Sequence, residues 1–381
     1  MLKVGVIGYG GRIRDMLKEF LKTGKVKVVA VCDPNPEYAR KNADENGVGE
    51  YTLYSDAREM LEKEALDGVL VGTRCSLHTE YACLVASYGI PLFLEKPVAT
   101  CRAQEEQLKS ILYHSDKTVV SFPLRVTDIV LRVKAIVESG RIGKLSQVQA
   151  VNNVPYGRVY FHGWYRDESE TGGLFLQKST HDFDYINSML DGARPVAVSA
   201  VASKQIFTGD KPEGLLCENC PDQDSCPESP ERLRALGIDP TGFGCCFASD
   251  TGNHDSGSAL VTYDTGLHVV YTQNFVARAK AAKRGARFIG YKGTVEFDFP
   301  TGLITVYDHV TGEVEKIDMS GDFGQHFGGD RRLAEAFIRV MQGETSPSTL
   351  AEGILSVSMC LAARESADKG SFVGVDFKIE K

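Results

Sequence analysis

The sequence predicts an α/β N-terminal domain on a doubly wound parallel sheet, followed by an α+β C-terminal domain with a large, mostly antiparallel open sheet. Three observations carry that prediction. "KVGVIGYGGRIRDMLKEFLK" runs from an apolar strand through a glycine turn into a helical pattern. "KVKVVAVCDPNP", "ALDGVLVGT" and "GIPLFLEKP" then read as buried strands, with helical stretches such as "HTEYACLVASYG" between them, the alternation of a parallel sheet. After residue 121 the pattern changes. "KLSQVQAVNN", "PVAVSAVASK", "GSALVTYDTG", "LHVVYTQNFV", "ARFIGYKG" and "TVEFDF" follow one another across turn signals, as antiparallel strands do. The expected domains are therefore residues 1–121 and 122–381, with a Cys-rich insertion at 207–256. The amphipathic stretches "DRRLAEAFIRVMQG" and "LAEGILSVSMCLAARESADKG" are expected to return to the first domain.

Composition removes several function classes. A formal charge of -8 argues against a nucleic-acid partner, which needs a basic face. No apolar run reaches the length of a membrane-spanning helix. "MLKVGVIGYG" enters a strand at once, leaving no room for a cleaved signal, so a cytoplasmic location is expected.

In the first element Gly8 and Gly10 take the first two positions of a GxGxxG turn, followed by Gly11 and Arg12. Ile13 stands where the third small residue belongs. Such a turn brings backbone N–H groups and a helix N-terminus to a pyrophosphate, the mark of a Rossmann dinucleotide site. The second strand ends in Asp33, where an acid accepts from ribose hydroxyls and repels a 2′-phosphate, favouring NAD over NADP. The plainer alternative is that Asp33 only starts the Pro34–Pro36 turn. The next strands deliver Thr73, Arg74 and His78, then Glu95, Lys96 and Pro97, to the crevice at their carboxyl ends.

A strand ending in "EKP" after a GxG turn resembles the Gfo/Idh/MocA family of glucose–fructose oxidoreductase and inositol dehydrogenase. "FPLRVTDIVLRVKAIVESGRIGKL", with Arg125 and the Gly140–Gly143 turn, resembles that family's lead into its second domain. "GWYRDESETGG" and "RFIGYKGTVEFD" resemble two further family segments, so the likeness covers nearly the whole chain. It implies that Lys96 reaches between nicotinamide and substrate to bind the reacting oxygen, that Pro97 shapes the loop beneath the cofactor, and that Arg125 is a cofactor contact. A cation there would stabilise alkoxide character in the oxidation of an alcohol. It also implies a homodimer or homotetramer formed through the second sheet.

The stretch "FLQKSTHDFDY" follows the Gly172–Gly173 turn and reads as a helix with Gln177, His181 and Tyr185 on one face. The family places an acid four residues before a histidine here. His181 matches the histidine and is the expected general base; Gln177 replaces the acid. An amide can orient the ring but supports its charge less well, leaving Asp182, Asp184 or Lys178 to compensate. Tyr156, His162, Trp164, Arg166, Gln177, Lys178 and His326, beside Lys96 and His181, complete the expected substrate contacts.

Cys32, Cys75, Cys83, Cys101 and Cys360 are scattered and read as reduced core residues. Cys217, Cys220, Cys226, Cys245 and Cys246 instead suggest a structural zinc site. Its fourth ligand is open between Cys245 and Cys246, with His254 more remote; disulfides or free thiols are the alternatives. The function expected is NAD-dependent hydride transfer from a secondary hydroxyl of a sugar, sugar derivative or cyclitol. Its rivals are NAD-cycling epimerisation or glycoside cleavage, a sugar- and NAD-sensing regulator, and imine reduction.

Overall fold

The computed structural model describes residues 1–190, 192–321 and 325–377. Six parallel strands, β1 (Leu2–Ile7), β2 (Val26–Cys32), β3 (Thr52–Tyr54), β4 (Gly68–Val71), β5 (Leu92–Leu94) and β6 (Thr118–Val120), pair in the order β3-β2-β1-β4-β5-β6. Every side chain of β4, β5 and β6 is buried, because helices cover both faces. The strand order reverses between β1 and β4, and a ligand crevice opens at their carboxyl ends at such a point.

The helix Gly11–Lys22 buries Ile13, Met16, Leu17 and Phe20 at helical spacing against this sheet. Ile13 explains its own departure from the fingerprint. A Cβ on Gly72, just beyond β4, would lie 1.8 Å from Ile13 Cγ1. The close helix–strand approach is kept, with the small residue placed on the strand side.

Nine strands form the second sheet. They are β7 (Leu145–Asn153), β8 (Pro195–Ser203), β9 (Ser256–Tyr263), β10 (His268–Asn274), β11 (Lys283–Gly290), β12 (Gly293–Asp298), β13 (Leu303–Asp308), β14 (Val314–Asp318) and β15 (Val373–Gly374). Their order is β14-β13-β12-β11-β7-β10-β9-β8-β15, antiparallel except for the β7–β10 pair. Alternate residues of β9 and β10 are buried, so the sheet has one core face. The 20-residue helix Leu350–Lys369 packs on it, started by a Thr349/Glu352 capping box.

The helix Gly329–Met341 packs on Gly11–Lys22 of the first sheet's layer. Phe337 meets Phe20 and Phe93 edge-on, with centroids 5.9 and 5.7 Å away. Phe337→Ala is therefore expected to cost about 3–5 kcal/mol, read as a shift of the denaturation midpoint. A loss below about 1 kcal/mol would contradict this packing account.

Candidate active site

The glycine turn is shaped by contact. Gly8 holds φ +78°, and a Cβ there would lie 2.7 Å from Thr73. Gly10 caps the following helix without a side-chain hydrogen bond, and space beside Gly11 is open, which fits a cofactor pyrophosphate. Asp33 closes β2; its carboxylate accepts from Tyr9 N (2.7 Å) and Asn35 N (2.8 Å). One acid thus ties the glycine turn to the neighbouring strand end. His78 is buried between Pro97 O (2.7 Å) and Thr73 O (3.2 Å), fixing the loops after β4 and β5 together.

Two residues expected beside the cofactor are engaged by carboxylates. Arg12 donates to both oxygens of Asp330 (2.8 and 2.7 Å) and lies 3.1 Å from Glu95. Against burial, which raises it, the hydrogen bond from His326 and then that from Arg12 hold the Asp330 carboxyl well below the usual range. Glu95 also accepts from Ser121. Arg125 pairs with Glu352 (2.6 Å) and Asp184 (3.5 Å), and with them lines a cavity near Asn187 and Phe377.

The stretch that carries His181 is not one regular helix. Phe175–Ser179 is a π-helical turn and Thr180–Asn187 is α-helical. The wider turn rotates Gln177 out of register with His181. Gln177 Nε2 donates to Thr171 O (3.1 Å) and Cys75 Sγ (3.4 Å), so the expected orientation of the His181 ring by this amide is corrected. Its backbone carbonyl instead accepts from Lys96 Nζ at 3.0 Å. Burial, and then the charge of Lys178, pull the Lys96 ammonium down to about 8.

Lys178 is buried, donates to Tyr156 Oη (2.6 Å), and lies 4.3 and 5.0 Å from the Tyr156 and Tyr160 ring centroids. Burial, then Arg284, push its ammonium well below the ordinary range. His181 packs edge-on against Phe122, and its Nδ1 is buried without a partner. Burial first, then Lys96, Arg284, His326 and Lys178, keep this imidazole neutral. His326 stands 6.3 Å away between ring centroids and bonds Asp330 at 3.0 Å. An acid–imidazole pair is thus present, at 326 and 330 rather than at 177 and 181. His326 and Phe327 both hold left-handed φ values, +47° and +54°, sustained by the packing around them.

Lys178 meets Tyr156, His181 faces His326, and Lys96 reaches the turn that carries Lys178 and leads into His181. Arg74 stacks on the half-exposed Trp164 ring at 3.9 Å. His162 and Arg166 turn away instead, toward the insertion. His162 Nδ1 meets Gly244 O (2.7 Å), and Arg166 pairs with Asp250 (2.6 Å). Tyr160 and Arg284 went unnoticed in the sequence. Arg284 accompanies Ala286 and Phe288 on the inward side of β11, a register that an alternation count would have shown. Asp182 is completely buried and accepts from Arg284 Nε (2.9 Å), Asn152 (2.8 Å) and Tyr271 Oη (2.8 Å).

The expected zinc site finds no support in the structure. Among the described residues, no group of three or more His, Cys, Asp or Glu side chains is placed to hold a metal ion. Cys217, Cys220, Cys226, Cys245 and Cys246 are free thiols. Burial, then the neighbouring Cys245, Cys226 and Cys220, push Cys217 up to about 11, and burial raises Cys245 and Cys246. His254 instead packs on Phe175 and bonds Gln273. The insertion is fastened to the rest of the domain by a small shared core, with Phe207 against Phe161 (4.2 Å) and Phe247 (5.6 Å). Asp255 accepts from Ile206 N and Phe207 N. Of the five scattered cysteines, Cys32, Cys75 and Cys360 are buried, Cys83 is partly buried against the core, and Cys101 is exposed, so Cys101 is not a core residue.

Comparison with known proteins agrees with this architecture. Residues 2–122 match the oxidoreductase family with an NAD-binding Rossmann fold, and residues 130–296 match the GFO/IDH/MocA C-terminal domain. The chain is 26% identical over 320 residues to putative oxidoreductase YteT of Bacillus subtilis, covering 73% of each protein. It is 31% identical over 164 residues to an inositol 2-dehydrogenase of Azotobacter vinelandii, covering 42% of this chain and 48% of that protein. In fold it resembles a levoglucosan dehydrogenase solved with NADH and levoglucosan, at a TM-score of 0.76 and 19% identity over 98% of this chain and 99% of that one.

The family matches over residues 2–122 and 130–296 place the chain among NAD-binding oxidoreductases. The chain belongs to the Gfo/Idh/MocA family.

Proposed function

We propose that this enzyme oxidises a secondary hydroxyl of a sugar, sugar derivative or cyclitol, with NAD as hydride acceptor. What supports the reading is that Lys96, at the end of β5, bonds the main chain of the turn that leads into the His181 helix. Relatives named for inositol and levoglucosan support a polyhydroxylated substrate. The Gly8, Gly10 and Gly11 backbone would hold the pyrophosphate and Asp33 the ribose, with NAD favoured over NADP by that carboxylate. Thr73, His78 and Pro97 would shape the nicotinamide side. Lys96 binds the reacting oxygen and stabilises its developing negative charge. His181, neutral before reaction, takes the hydroxyl proton.

This reading makes the pH profile asymmetric. The Lys96 cation is lost as pH rises through about 8, so kcat/KM falls on that side. His181 charges only well below the ordinary histidine range, so the acid limb lies low. In Lys96→Arg the alkaline limb should move up by more than one pH unit, roughly, since guanidinium does not titrate there. An unmoved limb would remove Lys96 from this role.

The primary test is a dehydrogenase screen over sugars, sugar acids, glycosides and inositols with NAD and with NADP, following NADH or NADPH absorbance. Tight binding of NAD and a sugar with no turnover across the panel would replace this reading with a sensing role. Product formed without release of NADH would favour the cycling chemistry. We place the enzyme in the cytoplasm, where its free thiols would stay reduced. We also propose assembly through the outer face of the second sheet, where Val151, Leu260, Val270 and Ile289 point away from the core.

A further inference from the structure

Removing a proton and a hydride from a neutral polyol calls for one cation near the oxygen; the cleft holds more. Lys178 lies three residues before His181, Lys96 bonds the carbonyl of Gln177 in the same turn, and Arg284 pairs with the adjacent Asp182; all three disfavour the imidazolium. Among the described residues Asp182 acts on Arg284 and Lys178, and Glu95 on Lys96. Asp182 is bonded by Arg284, Asn152 and Tyr271, so it is occupied by a single guanidinium and two neutral donors. Glu95 and Asp330 are bound by Arg12. Among the described residues no carboxylate forms an ion pair with Lys96 or with Lys178.

Hydrogen bonding leaves the same surplus. An ammonium carries three N–H donors. Lys96 uses one on Gln177 O, and Lys178 uses one on Tyr156 Oη. Arg284 spends Nε on Asp182, while its Nη2 is buried without a partner. Lys178 is 6% exposed and lies among the rings of Tyr156 and Tyr160, which can soften a cation but cannot neutralise it. Buried charges in folded proteins are paired or give up their proton, and among the described residues Lys178 forms no ion pair, so a bound anion would restore the charge that burial removes. The positive charge of oxidised nicotinamide would add to the excess.

We infer that the substrate supplies the missing anion: it is a sugar acid, such as a uronate or aldonate, whose carboxylate docks on Lys178 and the free Nη2 of Arg284. Lys96 then keeps the reacting hydroxyl. Two donors suit the two oxygens of a carboxylate, whereas a phosphoryl group brings three and is commonly met by backbone N–H groups. This inference rests on the reading of the cleft as a sugar-oxidising site, and it narrows that site's substrate class.

The test uses NADH-loaded full-length protein and matched probes: galacturonate against galactose, gluconate against glucitol, galactose 6-phosphate, and myo-inositol. Calorimetric titration should give the acid of at least one pair a preference of roughly tenfold or more over its neutral partner, the size expected for a charge-assisted hydrogen bond. That preference should collapse toward about one in Lys178→Met and return in Lys178→Arg. Comparable or tighter binding of the neutral partners overturns the inference, as does tighter binding of the phosphate ester. An acid preference that survives in a folded Lys178→Met protein also overturns it. Turnover with NAD on the same panel separates the two readings. Neutral sugars or inositols oxidised while the acids stay inert would end this inference and leave the oxidoreductase reading intact. Acids bound selectively but never oxidised would do the reverse, and a panel that neither binds nor reacts would count against both.

Discussion

Lys96→Ala is expected to lower kcat by roughly 10²- to 10³-fold, the loss typical when a preorganised group facing a developing oxyanion is removed. The ammonium reaches the cleft from the end of β5 and is held by a main-chain carbonyl 3.0 Å away, so it needs little rearrangement when charge develops. Its surroundings are largely closed to solvent, and water entering the space left by alanine would be a poor substitute. The measurement is steady-state kinetics on the substrate found in the screen, paired with an NADH titration. A fall in turnover with near-normal NADH affinity supports the assignment. Turnover within about threefold of wild type would show that Lys96 has another job.

His181→Ala is expected to cost about 10²- to 10⁴-fold in kcat, the range for a lost general base. The same cations that keep this imidazole neutral also disfavour the imidazolium formed when it takes a proton. An onward acceptor would relieve that conflict, and the nearest candidate is His326, whose ring lies 6.3 Å away and is bonded to Asp330. A His181→Ala enzyme should therefore also lose the acid limb of kcat/KM. If the acid limb persists unchanged with high turnover, the proton leaves by another group, and His326 becomes the first residue to examine.

Much of the fold was legible because its signals are local and repeated. The buried runs of β4 and β5, the alternation of β9 and β10, and the glycine turn each follow from a few consecutive residues. Lys96 and His181 were legible for a different reason, since their segments resemble a family with a known arrangement. What escaped notice depends on longer range or on backbone irregularity. No propensity separates the π turn at Phe175–Ser179 from an α turn, yet that turn decides where Gln177 points. Arg12 looks like a cofactor contact until Asp330, 318 residues along, is found against it. The cysteine spacing suggested a metal because it is local, whereas the packing of Phe207 on Phe161 that fastens the insertion is not.

The exchange between Ile13 and Gly72 makes closeness a property of a pair rather than of either position. Enlarging Gly72 alone should clash with Ile13, and shrinking Ile13 alone should leave a void under the turn. A chain carrying both Gly72→Ala and Ile13→Ala should recover part of what each change loses, so the two effects would be sub-additive. Across related sequences the two sites should accordingly drift together, large residue against small, with the missing glycine of one motif reappearing at the tip of a neighbouring strand.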